Sequence, residues 1–173
     1  MLIGNRMADA INIQIGNEFG ASLQYVAIAA YFGTDSLPEL AAHFNRQALE
    51  ERDHAMKLLN YLVDAGAEVV IPATPAPKSK FSSTEEAVQL SLDWEITVTK
   101  QINGLVDLAI KESDHLTREF LQWFVTEQLE EVSSMETLLK IVRRAGPNGL
   151  LFVEDYLARK GRVGAAPTAP VAG

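Results

Sequence analysis

Residues 44–58 read Phe44-Asn45-Arg46-Gln47-Ala48-Leu49-Glu50-Glu51-Arg52-Asp53-His54-Ala55-Met56-Lys57-Leu58. A helix that packs by one face buries positions at alternating four- and three-residue steps, which here fall on Leu40, Phe44, Gln47, Glu51, His54, Leu58 and Tyr61. The ends of this seam are apolar and its middle is not. Three other stretches repeat the pattern: Ile11, Ile15, Glu18, Ser22, Tyr25, Ala29, Phe32; then Val88, Ser91, Glu95, Val98, Ile102, Leu105; then Leu121, Phe124, Gln128, Glu131, Met135, Leu138, Val142. Each seam carries a glutamate where an apolar residue belongs, and two of them carry a pair at i and i+3.

The punctuation of the chain agrees with four long helices. Of its 11 glycines and 7 prolines, Gly104 alone lies between Ser82 and Ala145, while Gly66, Pro72, Pro75 and Pro77 cluster together and many others follow Gly146. Apolar periodicity predicts helices near 8–33, 37–65, 84–111 and 115–145, and no stretch alternates as a half-buried strand does. Pro38 suits a first helical turn, Ser83-Thr84-Glu85-Glu86 a capped acidic start, and Gly146-Pro147 a stop. Short first and third connections make two antiparallel hairpins. The Pro-rich segment from Gly66 to Ser82 is long enough to run the length of a bundle and sets the second and third helices parallel. The expected fold is therefore an all-α four-helix bundle with a long crossover between helices two and three. A short fifth helix is expected at about 149–160, followed by an Ala/Pro-rich, mobile tail over 161–173.

Register places the unusual residues in one layer. Glu18 and Glu51 are 33 residues apart, as are Glu95 and Gln128. At 1.5 Å per residue, roughly 15 residues lead from Glu18 to the first turn, about 22 Å, and a similar number return to Glu51. The second hairpin closes likewise, so Glu18, Glu51, His54, Glu95, Gln128 and Glu131 surround one point. Burying four ionised carboxylates costs several kcal/mol apiece, which together rivals the roughly 5–15 kcal/mol that stabilises a domain. No Lys or Arg occupies the seams at that level, whereas two divalent cations would neutralise four carboxylates. Oxygen donors with one imidazole suit iron or manganese better than copper or structural zinc.

Composition narrows the rest. The chain has 173 residues, 15 Lys+Arg against 23 Asp+Glu, 47% hydrophobic residues and no cysteine. One domain with a substantial core is expected, and thiolate zinc sites, Fe–S clusters and a cysteine nucleophile are excluded. The acidic balance argues against a general nucleic-acid binder and favours cations as partners. No secretory signal or uncharged apolar run of membrane-spanning length is visible, so the expected location is cytoplasmic and no membrane partner is expected.

At these residues the sequence resembles the ferritin family, in particular bacterial non-haem ferritins of the actinobacterial kind. The likeness rests on Asn17-Glu18-Phe19 with Gln24-Tyr25-Val26-Ala27, on Glu50-Glu51-Arg52-Asp53-His54-Ala55, on Glu95, and on Gln122-Trp123-Phe124 leading to Glu127-Gln128-Leu129-Glu130-Glu131. It implies a ferritin-like diiron domain over residues 1–160. In its ferroxidase centre Glu18 and His54 hold one iron, Glu51 bridges, Glu95 and Glu131 hold the other, and Gln128 lies beside the second. It also implies a transient third iron site from Glu50, Glu127 and Glu130, one step off the seam, and a tyrosine beside the irons, Tyr25. Trp123 matches a family tryptophan near the centre and is read here as packing. His43 and His115 are read as surface or packing residues. The resemblance further implies oxidation of Fe(II) by O2 or H2O2 and storage of a ferric mineral within a homo-oligomeric cage of two dozen subunits. Arg52 stands where bacterioferritins carry a haem-binding methionine, and Gln128-x-x-Glu131 replaces their second Glu-x-x-His, so no haem is expected. Two other readings stay open: a diiron oxidase of an organic substrate, which needs an apolar cavity beside the metals, and a non-catalytic cage or cargo subunit whose tail docks on a partner.

Overall fold

The computed structural model describes residues 2–164. Four long helices, α1 (Asn5–Thr34), α2 (Pro38–Asp64), α3 (Thr84–Lys111) and α4 (His115–Ala145), are followed by a 3-10 turn (Pro147–Gly149) and α5 (Leu150–Gly164). No strand occurs among the described residues. The all-α bundle expected from periodicity is what forms, with helix bounds within a few residues of the sequence reading. α5 continues past Lys160, where the sequence reading ended it. The rest of the expected mobile tail, residues 165–173, lies outside the described residues.

Side-chain pairs fix the helix directions. Tyr61, near the end of α2, stacks on Phe120, near the start of α4, with centroids 3.9 Å apart, while His54 meets Phe124 one to two turns further in. α2 and α4 therefore run antiparallel. Since α4 returns beside α3, helices α2 and α3 are parallel and the connection between them must span the bundle. It runs along α1. Asn12 donates its amide to Glu68 O and accepts from Val70 N–H, both at 2.9 Å. A little over three turns on, Gln24 makes the same two-way clasp with Lys78, both bonds 2.8 Å. Two buried amides thus satisfy backbone groups of an extended strap that has no strand partner.

Local chemistry sets the ends. Ser83 caps α3 by accepting from Glu86 N–H at 3.1 Å, and the Glu86 carboxylate accepts from the N–H of the residue before the cap, Ser82, at 2.6 Å. Asp114 accepts from Thr117 N–H at 2.9 Å. Both tight turns close through a serine in the left-handed region, Ser36 (φ 59°) and Ser113 (φ 55°). The amides beyond them reach back, Leu37 to Phe32 O at 3.0 Å and Asp114 to Ala109 O at 2.8 Å. α2 differs: its N-cap is Leu37, which offers no side-chain acceptor. The buried carboxylate of Glu154 on α5 supplies it instead, accepting from Glu39 N–H at 2.8 Å and Leu40 N–H at 2.9 Å. One contact thereby caps α2 and ties α5 to the end of the bundle.

The core is split. One apolar cluster holds Tyr25, Ile28, Phe32, Phe44, Val88, Met135 and Leu138, with Val153 and Leu157 of α5. The other holds Met7, Ile11, Ile15, Leu58, Ile102, Leu105 and Phe124. Between them lies the polar layer.

Candidate metal centre

Every seam position read from the sequence is buried apart from Ser22 and Tyr61, which are half-buried. α1 supplies Glu18, α2 Glu51 and His54, α3 Glu95, and α4 Gln128 and Glu131; all six are at most 5% exposed. Two groups of potential ligand atoms form within 4.8 Å: Glu18 with Glu51 and His54, and Glu51 with Glu95 and Glu131. Glu51 belongs to both. Its two oxygens have no hydrogen-bond partner, and neither do Glu18 Oε2, Glu95 Oε2 and His54 Nδ1. Unpaired buried oxygens carry a desolvation cost that structures seldom tolerate without a ligand.

The remaining atoms are held. Gln14 donates Nε2–H to Glu18 Oε1 at 2.9 Å, and the Tyr25 hydroxyl donates to Glu95 Oε1. The Thr99 hydroxyl lies 2.8 Å from Glu95 O and 2.9 Å from the Gln128 side-chain amide, which ties that amide to α3. On Glu18 and Glu95, therefore, one oxygen is fixed by the protein and the other is left facing the layer. His54 Nδ1 lies 3.5 Å from Glu51 Oε2.

Electrostatics say the same. Burial, aided by neighbouring carboxylates, pushes Glu18 and Glu51 well above the usual glutamate range. Burial raises Glu95 to about 7, and burial with the Glu95 charge raises Glu131 to about 8. Tyr25 is pushed well up by burial and by the Glu95 charge. Burial without a cation favours the protonated form of these carboxyls, and a bound cation would favour their ionised form.

A third group of ligand atoms within 4.8 Å is His54, Glu127 and Glu131, which differs from the expected trio. Glu127 joins His54 and Glu131 here, and it also lines a cavity of about 510 Å3 together with Glu50 and Glu130, the other two members of that trio. Glu50 is bound by the Gln47 amide, and burial raises its pKa. His43 lines the same cavity, edge-on to Phe44 at 5.2 Å, and burial with Arg46 and Lys160 nearby lowers its pKa to about 4. Trp123 is half-exposed, its ring edge-on to His54 at 5.4 Å and beneath the Lys57 ammonium at 4.3 Å. Arg52 is exposed beside Asp53.

Sequence reasoning did not single out Gln14 or Thr99. Gln14 stands one turn before Glu18, the spacing at which two side chains on one helix meet. Thr99 stands one turn after Glu95, and its partner Gln128 is on another helix, so its signal is tertiary.

Three comparisons bear on this geometry. The sequence family described as a ferritin-like domain matches residues 8–145. A protein named ferritin BfrB from Mycolicibacterium smegmatis is 50% identical over 161 residues, covering 92% of this chain and 88% of its own. A bacterial non-heme ferritin from Staphylococcus saprophyticus is 37% identical over 161 residues, covering 92% of this chain and 96% of its own. Among solved structures, an open pore ferritin from the archaeon Archaeoglobus fulgidus superposes with a TM-score of 0.88 at 33% identity, covering 91% of this chain and 97% of that one.

Proposed function

The chain belongs to the ferritin family, and from that premise we propose that it is an iron-storage subunit that oxidises Fe(II) at a dinuclear position inside its own bundle and passes ferric product into a cage of two dozen copies. The observation that carries this reading is the double membership of Glu51, whose carboxylate serves two ligand groups at once with both oxygens free. Glu18 and His54 complete one iron position and Glu95 and Glu131 the other, with Gln128 beside the second.

Iron is substrate here. Two ferrous ions bound side by side can give one electron each to O2, which takes up two protons and leaves as H2O2, or to H2O2, whose O–O bond breaks as two protons are taken up and two waters leave; neither route releases a one-electron product. The protein's part is positional and electrostatic. Four carboxylates neutralise two divalent ions, and binding displaces the protons that the empty site favours. The Tyr25 hydroxyl and the Gln14 amide hold one oxygen each of Glu95 and Glu18. Glu127, which groups with His54 and Glu131, leads from the centre to the cavity lined by Glu50 and Glu130, and these three acidic residues form the proposed path outward.

An oxidase of organic substrates would need an apolar cavity at the metals. An apolar cavity lined by Ile13, Pro72, Leu90 and Trp94 is bordered by none of the six residues, and the cavities that do border Glu131 and His54 are lined by acidic residues, Glu50 and Glu127 among them. No helix is long and apolar enough to cross a membrane among the described residues, and the proposed setting is the cytoplasm.

Aerobic iron loading followed by sizing tests the proposal. Protein given Fe(II) in air should form soluble ferric species much faster than buffer and sediment as a large shell with its iron. A lone dimer, or no acceleration, would overturn it.

A further inference from the structure

The hydrogen bonds of α1 form a relay that ends on a metal-facing carboxylate. Asn17 donates Nδ2–H to Gln14 Oε1 at 3.2 Å, and Gln14 donates Nε2–H to Glu18 Oε1 at 2.9 Å. Gln14 is 2% exposed and Glu18 1% exposed, whereas Asn17 is half-buried and borders the outer cavity between α1, the crossover strap and α3. Glu18 Oε2 is buried with no partner.

We infer that Gln14 and Asn17 are positioning residues for iron binding at the Glu18 position, with Asn17 holding the direction of the Gln14 amide. This rests on the dinuclear reading above. The physical basis is the asymmetry of an amide. A carboxylate that binds a cation is ionised and only accepts, so the group facing Glu18 must be a donor. A glutamine can present nitrogen or oxygen equally well by turning its amide over, and nothing on Gln14 itself decides between them. An ionised Glu18 takes the Gln14 nitrogen, and the Asn17 NH2, by meeting the oxygen that this leaves, holds the amide in that direction. With Oε1 held one helical turn away, only Oε2 is free to meet a metal, so Glu18 is pre-set as a one-oxygen ligand. The relay orients a ligand without touching the metal.

Two substitutions separate this from packing. Gln14→Leu keeps the bulk and removes the donor. Asn17→Asp keeps the shape and reverses the polarity, since an ionised aspartate only accepts; the Gln14 amide then turns its nitrogen to Asp and its oxygen to Glu18. Coulomb's law alone gives the opposite result, because an added negative charge attracts a cation. The sign of the change in affinity therefore discriminates between the two effects.

The experiment is anaerobic calorimetric titration of Fe(II) into the assembled full-length protein, with melting temperature and particle size as controls. Wild type should take two ions per subunit. Both variants should bind at one of the two positions about 10–100-fold more weakly, the range expected when a partner of a metal ligand is lost, and keep the other position unchanged. If Gln14→Leu does not assemble, Asn17→Asp at the half-buried rim decides. Unchanged or tighter binding in Asn17→Asp overturns the relay. Failure of wild type to bind two ions would overturn the dinuclear reading instead.

Discussion

Pro72 occupies the space that a side chain at Gly16 would need: a Cβ built on Gly16 would overlap Pro72 Cγ. The crossover strap can lie against α1 only because residue 16 is glycine, and the Asn12 and Gln24 clasps stand on either side of that approach. The close seat of the strap on α1 at this point depends on one missing methyl group.

Gly16→Ala should therefore push the strap off α1. Overpacking of this kind costs about 1–3 kcal/mol. Hydrogen exchange should speed up at Val70 N–H and Lys78 N–H, the amides that the clasps protect, while the α4 interior stays protected. Unchanged exchange at both would mean that the strap accommodates the methyl group.

Glu154 makes a second prediction. Its carboxylate is the acceptor for two amides of α2 that have no local cap. Glu154→Ala leaves both N–H groups unpaired and should destabilise the α2 start by about 1.5–3 kcal/mol, as for lost hydrogen bonds to a charged group. Exchange at Glu39 and Leu40 should accelerate together with that of α5. If α5 keeps its protection, the apolar contacts of Val153 and Leu157 suffice to dock it.

Stability of the metal-free protein should depend on pH in an unusual direction. The ordinary glutamate value is 4.5, and the folded protein holds Glu95 at about 7 and Glu131 at about 8. The folded state thus binds these protons more tightly than the unfolded chain. The stabilisation is fully present below about pH 4.5 and is lost as pH rises through about 7 to 8. Melting temperature measured without metal should fall between about pH 5 and 8, and a bound divalent cation should remove that slope. A melting temperature that rises over this interval without metal would show that these carboxyls are ionised in the empty site.

Much of this was legible in the sequence. The four seams could be written from spacing alone because each helix buries one stripe, and a glutamate in such a stripe stands out against its apolar neighbours. Equal 33-residue separations then brought Glu18 beside Glu51 and Glu95 beside Gln128. The parts that were not legible depend on partners distant in sequence. Asn12 and Gln24 look like ordinary surface residues until the strap lies over them, and Glu154 is 115 residues from the α2 amide at Glu39 that it caps. Glu50, Glu127 and Glu130 line one cavity, and Glu127 also comes within ligand distance of His54 and Glu131, a tertiary contact that spacing along one helix does not show.

Stopped-flow mixing of Fe(II) with the air-saturated, assembled protein, wild type against Glu51→Ala, tests the shared bridge most directly. Wild type should show a rapid phase of ferric formation. Glu51→Ala should keep its particle size and lose that phase, with oxidation falling to the rate of iron in buffer. An intact rapid phase in Glu51→Ala would contradict a centre built on the one carboxylate common to both ligand groups.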